Sequence, residues 1–113
     1  MKFFVTYQMP YMDLDNWTKL PAEERKEQEL QMQSEWNAWM AEHKGVITDT
    51  AGVGKPKCVT ASGVSDARND IMMYSFVEAD SLTAAADIFK NHPHFGIPGG
   101  WIEVMEINNN MGG

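Results

Sequence analysis

Three segments of the chain have the composition of β-strands. Residues 2–9 (KFFVTYQM) are rich in aromatic and β-branched side chains, and Pro10 ends the run. Residues 71–79 (IMMYSFVEA) are apolar on both faces, which is typical of a buried strand, and residues 101–107 (WIEVMEI) form the last strand. The pattern predicts a sheet that carries apolar side chains on both sides.

Two further segments have the spacing of amphipathic helices. In residues 21–44, apolar or amphipathic side chains recur every three or four positions. A second helix begins near Ser81, which can cap it, and carries apolar residues at helical spacing from Leu82 to Phe89. Pro93 bars its continuation. We therefore expect one long and one short helix.

The segments between these elements are more polar. We interpret residues 13–20 (DLDNWTKL) as a polar connection in which Trp17 and Leu20 could be anchors. Residues 46–50 (VITDT) and 57–62 (KCVTAS) are interpreted as one broken second strand, and residues 65–70 as a loop. Residues 108–113 (NNNMGG) are expected to form a flexible tail.

The resulting order, β-α-β-β-α-β, predicts a ferredoxin-like α+β fold in a single domain of residues 1–107. Right-handed crossovers place both helices on one face of a four-stranded antiparallel sheet, so the other face has no cover from its own chain. That face is expected to be largely apolar, and we predict that two chains close their sheets together into a homodimeric α+β barrel.

Composition narrows the possible partners. The 113 residues are 43% hydrophobic and carry a formal charge of −7, which disfavours nucleic acid as a partner. No apolar stretch reaches the length of a signal-peptide core or a membrane span, so we expect a cytoplasmic protein without a membrane partner. Cys58 is the only cysteine and is expected to be a small, at least half-buried side chain. Nothing in the composition requires a cofactor.

Two strings carry a resemblance to a known family. EADSLTAAADIF (Glu78 to Phe89) and NHPHFGIPGGWIEVMEI (Asn91 to Ile107) are similar to the second half of YCII-related (DGPF-type) domains of the dimeric α+β barrel superfamily. The resemblance implies a ferredoxin-like protomer, a dimer and a small-molecule cleft between helix and sheet. Members considered to be enzymes carry a His in the first helix and an Asp before the Pro that precedes the last strand. Here His92 stands before Pro93 at that position.

His92 and His94 are the candidate catalytic residues. They flank Pro93 between a helix end and a strand, where imidazoles can face a cleft, titrate near neutrality and act as general acid or base. Alternatively, they bond the last carbonyl groups of the preceding helix, which needs no ligand. His-x-His without a third donor nearby is a weak metal signal, so we predict no metal site.

Two residues near the end of the long helix are weaker candidates for the same site. His43 lies in the last helical turn, where a cation stabilises the helix end. Alternatively, His43 contributes to the same pocket as His94. Asp49, on the strand that follows, is a carboxylate that could orient one of the imidazoles.

Several large side chains are candidate walls for a substrate site. Trp36 and Met40 belong to an apolar helical stripe, which is more often core than ligand contact. Tyr7 and Trp101 each combine an apolar ring with one polar atom. Glu103 is a carboxylate in an otherwise apolar strand, which places it at a barrel mouth or in a functional site.

Together these features predict a homodimeric protein that binds a small, partly apolar organic molecule, with proton transfer by His92 or His94 as its possible chemistry. A non-catalytic dimeric binding or accessory module is the alternative. A monooxygenase of the dimeric barrel type is a weaker alternative that rests on fold analogy alone.

Overall fold

A four-stranded antiparallel sheet in the order β2-β5-β1-β6 organises the protein. A computed structural model describes residues 1–108. The strands are β1 (Lys2–Gln8), β2 (Ile47–Gly52), β3 (Lys57–Thr60), β4 (Gly63–Asp66), β5 (Ile71–Glu78) and β6 (Trp101–Glu106). The helices are α1 (Tyr11–Thr18), α2 (Ala22–Glu42) and α3 (Leu82–Ile88). This arrangement confirms the predicted ferredoxin-like α+β fold.

Both predicted helices are present, and local signals mark the start of each. α2 follows Pro21, whose backbone is set for a helix start, and has Glu23 and Glu24 in its first turn, where a negative charge favours the helix. α3 is capped by Ser81, whose hydroxyl accepts a hydrogen bond from the Ala84 amide at 3.0 Å. The chain turns after α3 at Asn91, whose φ of 62° is tolerated best by Asn and Gly.

One face of the sheet and the helices together form the hydrophobic core. Alternate residues of β1 point to this face and are fully buried, together with one residue of β5. α2 and α3 contribute the remaining buried side chains. The core residues are Phe3, Val5, Tyr7, Trp39, Val77, Ala85 and Phe89. We call this side the covered face.

The prediction for residues 13–20 is wrong, because Tyr11 to Thr18 form helix α1. Tertiary contacts hold this short helix in place. Asp15 accepts two hydrogen bonds from Arg68, at 2.6 and 2.8 Å, and the Asp70 carboxylate accepts one from the Tyr11 amide at 2.9 Å. The Arg68 hydrogen bond also holds the pKa of Asp15 below its usual range. Helix α1 buries no residue completely, so a polar composition was compatible with it.

The predicted broken second strand is also wrong. Ile47 to Gly52 join the sheet beside β5, but β3 and β4 pair only with each other as a separate hairpin. Gly63, the first residue of β4 after the turn, has a φ of 140°, which favours glycine. All eight strand residues of the hairpin are exposed, Cys58 included, so the expectation of an at least half-buried thiol is wrong. The strand side chains of the hairpin are exposed because the hairpin does not pack against the core.

Two further expectations concern membrane-spanning helices and the C-terminal tail. No helix within residues 1–108 is long and apolar enough to cross a membrane. Of the predicted tail, residues 109–113 lie outside the part of the chain that the structure describes.

Candidate functional site

His92 lies in a box of aromatic rings on the covered face. Its imidazole is 4.3 Å from Trp39, 4.6 Å from Trp36 and 5.2 Å from Tyr7, measured between ring centroids, and it is 2% exposed. The two indole contacts are close to edge-to-face, an arrangement that aromatic pairs favour. Asn91 and the 3-10 turn that begins at Pro93 direct the ring inward.

Burial keeps His92 neutral, and its hydrogen bond fixes which nitrogen carries the proton. Its Nδ1 accepts a hydrogen bond from the His94 amide at 2.9 Å, which places the imidazole proton on Nε2. That Nε2 is buried and has no hydrogen-bond partner within residues 1–108. Burial, followed by repulsion from His94 and His43, lowers the pKa of His92 to about 3. The expectation that this imidazole titrates near neutrality is therefore not supported.

His94 is the imidazole that reaches a cavity. Its Nε2 lies 2.7 Å from the carbonyl oxygen of Gln8, to which it donates a proton, so the lone pair of the neutral ring belongs to Nδ1. Burial lowers its pKa, while backbone bonds to Gln8 and Trp101 oppose that shift. The close approach depends on Gly100, because a Cβ there would lie 3.1 Å from Nε2.

A chain of hydroxyl groups runs from this site across the covered face. The Tyr7 hydroxyl lies 2.8 Å from Ser75 Oγ, which lies 2.7 Å from Thr50 Oγ1. Tyr7 and Ser75 are fully buried, whereas Thr50 on the edge strand is half-buried. Burial raises the pKa of Tyr7 to about 12, against the lowering effect of the Ser75 bond, so the phenol stays protonated at neutral pH.

Two adjoining cavities lie between α2 and one end of the sheet. The first, of about 390 Å³, is lined by Tyr7, Glu29, Met32, Gln33, Trp36, Met72, Met73, His94 and Ile97. The second, of about 430 Å³, is lined by Met9, Asp13, Leu14, Trp17, Gln28, Glu29, Met32, Met72, Gly96, Ile97 and Pro98. Because they share four lining residues, we treat them as one cleft. Both volumes are in the range of small-molecule sites.

The structure brings three of the sequence-predicted site residues, Tyr7, Trp36 and His94, together in the cleft wall. His92 contacts the rings of Tyr7 and Trp36 from outside these two cavities. Met40 packs against the core.

The other predicted residues lie apart from the cleft. His43 Nδ1 lies 2.8 Å from the Trp39 carbonyl oxygen, and its ring stacks on that indole at 4.0 Å, as expected for the helix-end role. Asp49 is exposed on the edge strand, while the imidazoles bond to backbone groups instead. Trp101 and Glu103 lie on the opposite face of the sheet, where the indole nitrogen donates to the carboxylate at 3.0 Å.

Sequence reasoning did not single out several cleft residues. Leu14 comes from helix α1, which was interpreted as a polar connection, and Trp17 of the same helix was expected only as an anchor of that connection. Met72 and Ile97 come from the end of the sheet and from the turn after α3. The helical spacing of Tyr11, Leu14 and Trp17 is a signal that could have identified the first pair. Within residues 1–108, no group of three or more His, Cys, Asp or Glu side chains is arranged to hold a metal ion.

Fold and site together define an α+β protein of ferredoxin-like topology with an aromatic and methionine-rich cleft between helix and sheet. No protein-family model and no curated protein sequence matches the chain. Among solved structures, the chain is similar in fold to the 5-chloro-2-hydroxyhydroquinone dehydrochlorinase TftG from Burkholderia phenoliruptrix AC1100, in complex with 2,5-dihydroxybenzoquinone. The match has a TM-score of 0.57 at 12% identity and covers 98% of this chain and 97% of that one. At this identity the likeness supports the fold.

Proposed function

We propose that this protein is a homodimer whose cleft binds a small, largely apolar organic molecule, with His94 as the group that exchanges a proton with it. The observation that carries the proposal is the cleft itself. Tyr7, Trp36 and three methionines surround a cavity of about 390 Å³ that also contains a buried imidazole. Apolar walls with few convergent polar atoms are typical of ligand sites. The similar fold of TftG, which was solved with a small quinone, agrees with this use of the fold.

Binding is tested by NMR of protein with ¹³C-labelled methionine methyl groups. Tryptophol, an uncharged indole alcohol, is the probe, because its ring shifts nearby methyl resonances. We expect the resonances of Met32, Met72 and Met73, which line the cleft, to move on titration. Met105, which is exposed on the other face of the sheet, is the matched control. If no cleft methyl moves, or if Met105 moves equally, the cleft does not bind such molecules.

Proton transfer is tested with phenylacetone in heavy water. A base that removes a benzylic proton leaves its electron pair on the carbonyl oxygen as an enolate, and return of a deuteron to carbon gives exchange that NMR can follow. His94 has the Nδ1 lone pair for this step. We expect faster exchange with the wild-type protein than with His94→Gln, and no change for His43→Gln. Equal rates for the wild type and His94→Gln would overturn the proton-transfer role.

A non-catalytic binding module is the second candidate function. It is favoured by the engagement of the polar groups around the cleft, because His94 Nε2 bonds to the Gln8 carbonyl and the Tyr7 hydroxyl to Ser75. Cleft binding of tryptophol without exchange into phenylacetone would favour this candidate over catalysis.

The dimer is supported by the uncovered side of the sheet, which we call the open face. Phe4, Tyr74 and Phe76 form a cluster there, with ring centroids 5.4 to 5.9 Å apart, and all three are half-buried. Met105 extends the cluster and is 42% exposed. One face of a sheet of this width has an area of about 400 Å², which is comparable with the largest apolar patch that a monomer usually exposes.

Sedimentation velocity tests the dimer. We expect the wild-type chain, of 12.7 kDa, to sediment as a dimer and Phe76→Lys as a monomer. Val59→Lys, which adds the same charge at an exposed hairpin position, is the control and should remain dimeric. A monomeric wild-type protein at micromolar concentration would contradict the proposal.

A further inference from the structure

The charged side chains that line the cleft are all acidic. Glu29 lines both cavities and Asp13 lines the second, and neither wall contains a Lys or Arg side chain. The nearby imidazole of His94 is neutral at pH 7, because burial lowers its pKa. The whole chain carries a formal charge of −7, so the field around the cleft repels anions and attracts cations.

The uncharged part of the wall also favours a cation. Trp36 lines the first cavity and Trp17 the second, and both side chains are half-buried, whereas Tyr7 is completely buried in the wall of the first. The π-face of such a ring attracts a positive charge, most strongly for tryptophan. Methionine sulfur atoms are polarisable and pack well against flat apolar groups. The cleft therefore combines a surface for a ring or alkyl group with carboxylates for a positive end.

From this combination we infer that the cleft prefers a cationic ligand, namely an aryl or alkyl ammonium compound whose apolar part lies against Tyr7, Trp36 and the methionines and whose ammonium group approaches Glu29. This inference rests on the proposed function of the same cleft and specifies the class of molecule that it takes. It predicts discrimination against carboxylic acids of the same size.

One cation of the protein already approaches Glu29. Arg25 lies one turn earlier on α2, and its Nη1 is 3.5 Å from Glu29 Oε1. The Nε of Arg25 donates to the Leu20 carbonyl at 3.2 Å, which holds the guanidinium near the start of the helix. A pair at this distance between partly exposed side chains is weak. An ammonium ligand would therefore compete with Arg25 or share the carboxylate with it.

The test compares three indole compounds that differ mainly in charge. Tryptamine is a cation, tryptophol is uncharged and indolepropionate is an anion at neutral pH. Titrations of the methionine-labelled protein at low salt give three affinities from the cleft methyl groups. We expect tryptamine to bind about threefold to fivefold more tightly than tryptophol, as a contact with a partly exposed carboxylate would allow, and indolepropionate to bind most weakly.

Two variants that each remove one negative charge show whether the preference for tryptamine arises from Glu29. Glu29→Gln should lower the affinity for tryptamine more than that for tryptophol and so remove most of the preference for the cation. Glu27→Gln removes an exposed carboxylate of the same helix that lies outside both cavity walls, and it should preserve the preference. Equal loss in both variants would mean that the net charge of the protein, and not Glu29, attracts the amine, which overturns the inference.

Arg25→Gln provides an independent test of the same carboxylate. Removal of the competing guanidinium should tighten tryptamine binding by about twofold to threefold. If the variant instead loses indolepropionate binding that the wild type shows, Arg25 anchors an anion and the inference fails. Cleft binding of tryptophol with no preference for tryptamine would refute the cationic class alone, whereas a failure of all three probes would refute the proposed binding site.

Discussion

The two faces of the sheet use the same strands for different purposes. On the covered face, Phe3, Val5 and Val77 are completely buried beneath the helices. On the open face, Phe4 and Phe76, their neighbours along the same strands, are half-buried and contact mainly one another. The side chains are chemically alike, so the difference arises from what lies above them. One face supplies the stability of the protomer, and the other is available for a second chain.

Polar groups toward the β6 edge of the open face are also less protected than those of the covered face, although Gln8 donates to Thr6 as a buried pair on the open face. On the covered face, the Tyr7 hydroxyl and Ser75 are bonded to each other because no water reaches them. On the open face, Trp101 and Glu103 form a hydrogen bond that solvent could replace. The covered face therefore tolerates few polar changes, and we expect the effect of a substitution to follow the face on which it lies.

The strongest test of this difference is a pair of adjacent phenylalanines. Phe3→Ala should reduce the free energy of unfolding by about 3–5 kcal/mol, because it leaves a cavity in a closed core. Phe4→Ala should cost less, and its cost should grow with protein concentration if the dimer buries that ring. Urea unfolding at two protein concentrations measures both. Equal, concentration-independent losses would show that the faces do not differ.

A second test uses pH, because the two buried imidazoles belong to the covered side. Folding lowers the pKa of His92 to about 3, so the unfolded chain binds a proton that the folded one does not between that value and about 6.5. Stability is therefore complete above pH 6.5 and falls as the pH decreases below it. His92 alone should account for about 2 kcal/mol between pH 6.5 and 5.

Urea unfolding at several pH values checks this loss, with Val59→Lys as the control. The wild type and this variant should lose stability with the same slope, because Val59 is exposed on the hairpin and does not contact the imidazoles. His92→Phe should have a shallower slope. An unchanged slope in His92→Phe would show that this imidazole is accessible to protons in the folded protein.

The smallest expected effect concerns the hydroxyl chain of the covered face. Ser75→Ala should destabilise the protein by about 1–2 kcal/mol, because it leaves the buried Tyr7 hydroxyl without its partner. Adding Tyr7→Phe should recover part of that loss, which a double-mutant cycle measures. Thr50→Ala should cost less, since Thr50 is half-buried and solvent can replace the bond. A larger loss of stability for Thr50→Ala than for Ser75→Ala would contradict the conclusion that the bond between Tyr7 and Ser75 is the more important one.

Much of the fold was predictable because its strongest signals are local. The strands that contain Phe3 and Tyr74, together with helices α2 and α3, follow from composition, spacing and end signals. Helix α1 and the β3-β4 hairpin were not predicted, because contacts such as Asp15 with Arg68 hold the helix and the hairpin faces no core. Such contacts join residues that are far apart in sequence.

The site was predictable only in part for a similar reason. Tyr7 and His94 were identified from residue type and position, and both line the cleft. Trp101 and Glu103 lie on the other face, because alternation divides a strand into two sets without indicating which set meets the helices. Met72 enters the cleft near an irregularity in the pairing of β1 with β5, after Tyr7, and sequence does not reveal that shift.

The β3-β4 hairpin also provides a site for chemical labelling. It carries the sole thiol of the chain, on Cys58, and its strand residues face solvent away from the core. A maleimide fluorophore would therefore attach at one defined point without any engineered cysteine. Labelled molecules could be immobilised, or mixed in donor and acceptor batches, to test whether two chains associate and whether the indole probes bind to the unmodified cleft.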